Sequence, residues 1–140
     1  MIIGTGTDLC DIARIHKTLS KFGTRFINRL YTKREVARAE RKANKRADRY
    51  AQMFAAKEAC SKALGTGFRE GVFWRDIEVV SLPSGKPTLV LSGGAKIKMD
   101  SLIPDGMVAQ LDISLTDESG LAHAMVIISA NPKILNVPSP

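Results

Sequence analysis

Glu58 and Lys62 stand one helical turn apart in the run Phe54-Ala55-Ala56-Lys57-Glu58-Ala59-Cys60-Ser61-Lys62-Ala63-Leu64-Gly65-Thr66-Gly67. On a helix this spacing puts a carboxylate and an ammonium on one face, among small residues that let a ligand approach. By itself it is also the ordinary surface helix pair, contributing ~0.3 kcal/mol. The amino-terminal segment Gly4-Thr5-Gly6-Thr7-Asp8 offers a second carboxylate, although Asp8 alone serves equally well as a helix cap. If Asp8 reaches Glu58 and Lys62, the three groups make a site for a divalent cation and a phosphorylated ligand. Mg²⁺ prefers one or two carboxylates together with phosphate oxygens and water. Phosphoryl transfer asks for that charge neutralisation, a cation on the phosphates and a well-placed nucleophile.

The elements that must position these groups can be read from periodicity. Met1 to Asp8 reads as a short strand that ends where Gly4 and Gly6 let the backbone turn tightly. Asp11 to Phe22 carries Ile12, Ile15 and Leu19 at helical spacing, with Asp11 as cap and Gly23 as stop. Phe26, Ile27, Leu30 and Tyr31 form an apolar cluster, and Thr32-Lys33-Arg34-Glu35 matches a capping box that opens a basic helix. A helix is predicted from about Arg46 to Leu64, ended by Gly65. Its Met53, Ala56, Cys60 and Leu64 side reads as core, and its Ala51, Ala55, Glu58 and Lys62 side as a lined cleft.

After residue 72 the period changes to that of strands: Asp76 to Leu82, Pro87 to Leu91, Met107 to Leu115 and Ala122 to Ser129. Pro83-Ser84-Gly85-Lys86 and Asp117-Glu118-Ser119-Gly120 read as turns, Ser92 to Leu102 as a helix, and the tail from Asn131 as irregular. One strand, several helices and then several strands predict a single α+β domain over residues 1–130, with helices packed on an antiparallel sheet and an irregular segment at 131–140.

Composition narrows the function classes. The chain of 140 residues is 44% hydrophobic and 25% charged, ordinary for a soluble domain and suited to self-association at this size. The start has neither the basic nor the long apolar region of a secretory signal, and no run approaches the ~20 apolar residues of a membrane helix. Cys10 and Cys60 have no metal-type spacing and fit a reducing cytoplasm. The net charge of +7 is concentrated between Lys33 and Arg49, where eight basic residues face three acidic ones. Such a stretch attracts polyanions: nucleic acid, an acidic protein or a phosphate-rich ligand. The nucleic-acid reading is the weaker one, since Tyr31 and Tyr50 at the margins are the only aromatics available for stacking. His16 and His123 lie in no Cys/His metal pattern and are expected at a surface or an edge, with His123 pointing away from the neighbours of Met125.

Gly4-Thr5-Gly6-Thr7-Asp8-Leu9-Cys10-Asp11-Ile12 with Arg14-Ile15, and the run Phe54 to Gly67, together resemble the two motifs of the holo-[acyl-carrier-protein] synthases. The resemblance extends through Gly71 to Ile77, Ser84-Gly85-Lys86-Pro87 and Ser114-Leu115-Thr116-Asp117, and so covers residues 1 to 130. It implies the 4′-phosphopantetheinyl transferase fold and a Mg²⁺-dependent homotrimer. Such an enzyme moves the 4′-phosphopantetheine group of coenzyme A onto a serine of apo-acyl-carrier protein, releasing adenosine 3′,5′-bisphosphate, in support of fatty acid biosynthesis. By position, Asp8 and Glu58 would hold Mg²⁺, Lys62 would contact the pyrophosphate, and Glu58 would help remove the serine proton. Ser61, Gly85, Lys86 and Pro87 match positions near the coenzyme, while Arg14, Lys21 and Arg25 match the helix that docks the acidic carrier protein. No nucleic acid and no membrane are expected as partners.

Two positions depart from the family pattern. Met53 stands where an arginine is usual, and Asp112 where a histidine is common. Arg46, Arg49 and Lys57 are expected to supply replacement cations nearby.

Overall fold

The amino-terminal strand runs further than its glycines suggest. The computed structural model describes residues 1–134, and β1 spans Ile2–Asp11 before the chain enters α1 (Ile12–Phe22). Gly4 and Gly6 do not turn the backbone; they bring it against a helix. A Cβ built on Gly6 would lie 1.8 Å from the carbonyl oxygen of Ala59, and one on Gly4 2.0 Å from that of Ala63. Only residues without a Cβ permit this approach.

The Asp11 carboxylate accepts the Ala13 amide at 2.9 Å and so caps α1. Gly23, at φ +52°, ends α1 and leads into α2 (Thr24–Leu30). Thr32 and Glu35 form the expected capping box at the start of α3 (Lys33–Ala39). A short 3₁₀ turn at Ala43–Lys45 interrupts the basic stretch before α4 (Arg46–Leu64), which Gly65 closes in the left-handed conformation. There follow β2 (Ile77–Ser81), β3 (Pro87–Leu91), α5 (Gly93–Leu102), β4 (Met107–Glu118) and β5 (Leu121–Pro132).

Strands β1, β5 and β4 form an antiparallel sheet in that spatial order, and β2 and β3 form a separate hairpin. This is the expected α+β arrangement, in one domain. The β4–β5 connection is tighter than expected: Asp117 and Glu118 belong to β4, and Ser119 and Gly120, both at positive φ, make a two-residue turn. At the other end β5 continues through Asn131 and Pro132, which pair with Val108 and Met107, so the irregular tail starts later than the composition suggests. The rest of the expected tail, residues 135–140, lies outside the described residues.

Helix α4 is buried on nearly every side. The cleft expected along Ala51 and Ala55 is filled: both are fully buried, in one row with Ala59 and Ala63, whose carbonyls β1 covers. Alternate residues of β5, Ala122, Ala124, Val126, Ile128 and Ala130, are fully buried on the inner face of the sheet. Its other face is open. There Thr5 sits beside Ile127, Thr7 beside Met125 and Leu9 beside His123, and Leu9 keeps 64% of its surface exposed. His123 thus shares a face with Met125, as residues two apart on a strand must, and hydrogen-bonds Thr7 Oγ1 at 2.7 Å. Among the described residues no helix is long and apolar enough to cross a membrane.

Candidate active site

Asp8 follows Gly6 by two residues, so it lies on the face of β1 that Gly4 and Gly6 press onto α4. The close approach delivers its carboxylate to the helix. Lys62 Nζ lies 3.2 Å from Asp8 Oδ1 and donates to the Thr7 carbonyl at 2.9 Å. Among the described residues Lys62 makes no ion pair with Glu58. The surface-pair reading of Glu58 and Lys62 therefore gives way to a cross-element site.

Glu58 is half-buried, and burial pushes its carboxyl above the ordinary value; the Asp8 carboxylate pushes it further, while Lys62 and Arg14 pull it down. Two carboxylates and two cations thus act on one another across β1, α1 and α4. Burial, with help from Asp8, raises the nearby Cys10 thiol to about 11, so it stays protonated near neutral pH. The donor set suits a hard cation: two carboxylates supply oxygen, and among the described residues no three His, Cys, Asp or Glu side chains gather as a protein-only metal cage. A cation held here must complete its shell with ligand oxygens and water, as Mg²⁺ does.

A second basic region lies along the other flank of α4. A cavity of about 380 Å³ is lined by Arg38, Arg41, Arg49, Gln52, Met53, Val79, Ser81, Gly85, Pro87 and Leu115. It brings the β2–β3 turn to the helix α3–α4 arginines.

Residues 4–113 match a family described as the 4′-phosphopantetheinyl transferase superfamily. The chain belongs to that superfamily. A holo-[acyl-carrier-protein] synthase of Rhodopseudomonas palustris (strain BisB5) is 58% identical over 135 residues, covering 94% of this chain and 97% of the relative. The crystal structure of the synthase of that name from Neisseria meningitidis superposes with a TM-score of 0.80 at 32% identity, over 92% of this chain and 99% of that one. The Helicobacter pylori synthase, crystallised in complex with coenzyme A, gives a TM-score of 0.75 at 33% identity, over 89% of this chain and 99% of that one.

Within this transferase fold, several expected site residues fall elsewhere. Arg46 is held by Glu40, Nε lying 2.6 and 2.8 Å from the two carboxylate oxygens, and lines a different cavity, of about 1020 Å³, with Asp11, His16 and Asp48. Lys57 is fully buried and supplies no cation to a ligand. Ser61 is fully buried too, its hydroxyl donating to the Glu58 carbonyl at 2.7 Å. Of the three proposed replacement cations, Arg49 alone lines the cavity with Gly85 and Pro87, while Lys86 is exposed in the turn beside them. Asp112 lies on the open face of the sheet, accepting from Gln110 at 2.9 Å, away from this cavity.

The expected docking residues form an exposed arm. Arg14 and Lys21 lie on α1, with Lys21 Nζ 5.2 Å from the centroid of the Phe22 ring. Arg25, on α2, lines a cavity of about 400 Å³ with Phe22, Phe26, Arg29 and Trp74. Tyr31 and Tyr50, by contrast, are core residues, which removes the stacking platform a nucleic-acid reading of the basic stretch would need.

Sequence reasoning missed the buried pair that braces the site. Lys57 Nζ lies 2.7 Å from Glu35 Oε1 and donates to the Trp74 and Ile77 carbonyls. Glu35 also accepts the amides of Thr32 and Val79, both at 2.9 Å. One ion pair thereby joins α3, β2 and the residue before Glu58. The signal was present, since the capping box singled out Glu35, but nothing local linked it to Lys57.

Proposed function

We propose that this chain is a Mg²⁺-dependent holo-[acyl-carrier-protein] synthase, transferring the 4′-phosphopantetheine group of coenzyme A to a serine of apo-acyl-carrier protein. The single observation that carries the reading is the cross-element contact of Asp8 with Lys62 beside Glu58. Asp8 and Glu58 would hold Mg²⁺, which would neutralise charge on the coenzyme pyrophosphate. Lys62 neutralises the same phosphates as a point charge. Glu58, with its proton affinity raised by burial and Asp8, is suited to accept the serine proton as the hydroxyl attacks the pantetheine-bearing phosphorus. The P–O bond to the nucleotide then breaks and adenosine 3′,5′-bisphosphate leaves.

Gly85, Lys86 and Pro87 hold the nucleotide end of the coenzyme. The basic arm of Arg14, Lys21 and Arg25, with Phe22 and Phe26 between its charges, receives the acidic carrier protein; such charge speeds encounter more than it deepens affinity. The open sheet face, where Leu9 and Met125 lie exposed, supports assembly as a homotrimer. The enzyme serves fatty acid biosynthesis in the cytoplasm, where Cys10 and Cys60 remain free thiols.

Transfer of labelled pantetheine from coenzyme A to apo-carrier protein with Mg²⁺ tests this. Wild type should transfer, Glu58→Ala should not, and Lys62→Ala should lose turnover as well as coenzyme binding. Undiminished transfer by Glu58→Ala would sink the proposal.

A further inference from the structure

The cavity beside Met53 has a composition that the Asp8, Glu58 and Lys62 site does not explain. Three of its lining residues are arginines and none is acidic. Among the described residues, Arg38, Arg41 and Arg49 form no ion pair with a carboxylate. Arg41 and Arg49 repel the Arg38 guanidinium, Glu35 and Glu78 attract it without pairing with it, and an anion in the cavity adds to that compensation.

Arg38 is held as a recognition group would be. Its Nη2 donates to the Val79 carbonyl at 2.8 Å and approaches Met53 Sδ at 3.4 Å, and its Nη1 donates to Ser81 Oγ at 3.2 Å. Arg49 donates to the Arg38 carbonyl at 2.9 Å and steadies the same segment. The guanidinium is thus fixed over a neutral sulfur at the floor of the cavity, with a donor nitrogen still free for an anion. A guanidinium extended from position 53 would reach the same place. Met53 precedes Glu58 by five residues, about 7.5 Å along the helix axis and about 140° around it, so a ligand that serves both regions must pass around α4 and carry two widely separated anionic groups.

We propose that Arg38, assisted by Arg41, selects for the second phosphate of the ligand, the 3′-phosphomonoester of coenzyme A, and thereby takes over from helix α3 the cationic role that Met53 cannot fill. This rests on the coenzyme reading above. The dianion of a phosphomonoester accepts from a planar guanidinium fork in a way that a lone hydroxyl at that position does not.

Calorimetry with coenzyme A and with its 3′-dephospho form separates the two ideas. Wild type should prefer coenzyme A by about ten- to a hundredfold. Arg38→Gln should bring that preference close to one, Arg38→Lys should keep part of it, and Arg38→Gln with Met53→Arg should restore it. Should Arg38→Gln fold poorly, Arg41→Gln, at an exposed position, must still reduce the preference. An undiminished preference in folded Arg38→Gln, or equal binding of the two forms by wild type, would overturn the assignment while leaving the transferase reading standing. Failure of wild type to bind either form would overturn both.

Discussion

Gly6→Ala should separate positioning of the site from stability of the fold. The new Cβ would sit 1.8 Å from the Ala59 carbonyl oxygen and 2.8 Å from both the Ala59 carbonyl carbon and the Ala63 amide nitrogen. All three are backbone atoms of a buried helix, so no side chain can swing aside. Bringing the contact out to 3.0 Å, the limit real Cβ atoms respect, moves β1 off α4 by at least about 1.2 Å. Asp8 lies only two residues further along the same strand face, about 6.6 Å away, and must share the shift. Its 3.2 Å contact with Lys62 would then lengthen beyond ion-pair reach. Misplacement of a reacting constellation by about 1 Å costs on the order of 100-fold in rate, whereas overpacking costs about 1–3 kcal/mol of stability.

The control is Gly94→Ala, whose Cβ would meet the Gly71 carbonyl oxygen at the same 1.8 Å, in α5 rather than at the site. Both variants should unfold at temperatures lower by roughly 4–12 °C, read by scanning calorimetry. Only Gly6→Ala should lose about 100-fold in kcat/KM for pantetheine transfer at a temperature where both are folded. If the two variants lose activity equally, or Gly6→Ala keeps wild-type turnover, the strand–helix approach does not position Asp8 and the reasoning is wrong.

Glu58→Gln should give an inactive but more heat-resistant protein when no divalent cation is present. Burial and Asp8 raise the folded-state pKa of Glu58, so the native state binds its proton more tightly than the unfolded chain. Stability is therefore lost as pH rises from the unfolded to the folded pKa, and the full cost persists above it; a melting curve at neutral pH no higher than wild type would contradict this. In cation-free protein, Asp8→Asn should lower the Glu58 pKa, since it removes one of the two causes of the rise, as a carboxyl NMR titration would reveal. Lys57→Met should cost about 3–5 kcal/mol in denaturant unfolding because it strands the Glu35 carboxylate in the core. A loss below about 1 kcal/mol would mean that the pair is not the brace described above.

Most of the chain's elements are legible locally because their causes are local. Asp11 caps α1, Thr32 and Glu35 box the start of α3, Gly65 stops α4, and the strand period returns after residue 72. Strand ends were less legible: Asp117 and Glu118 have turn-like composition, yet ladder hydrogen bonding to β5 carries them into β4. Glycine was the most misleading residue type. Gly4 and Gly6 suggest a turn when only neighbours in sequence are considered, and their real partner is a helix backbone more than fifty residues away.

The sequence by itself determined the chemical kit, the two motifs that carry Asp8, Glu58 and Lys62, and the helices and strands that present them, because capping, periodicity and residue type act over a few positions. The tertiary structure alone decided which charges meet. It turned Lys62 from its helical neighbour Glu58 to Asp8, buried Lys57 and Ser61, tied Arg46 to Glu40, and left Arg38 and Arg49 around a cavity with no acid in its lining. The physical reason is that side-chain partners depend on burial and on distances across elements, and the approach of β1 to α4 that brings Asp8 to Lys62 exists only because two side chains are missing.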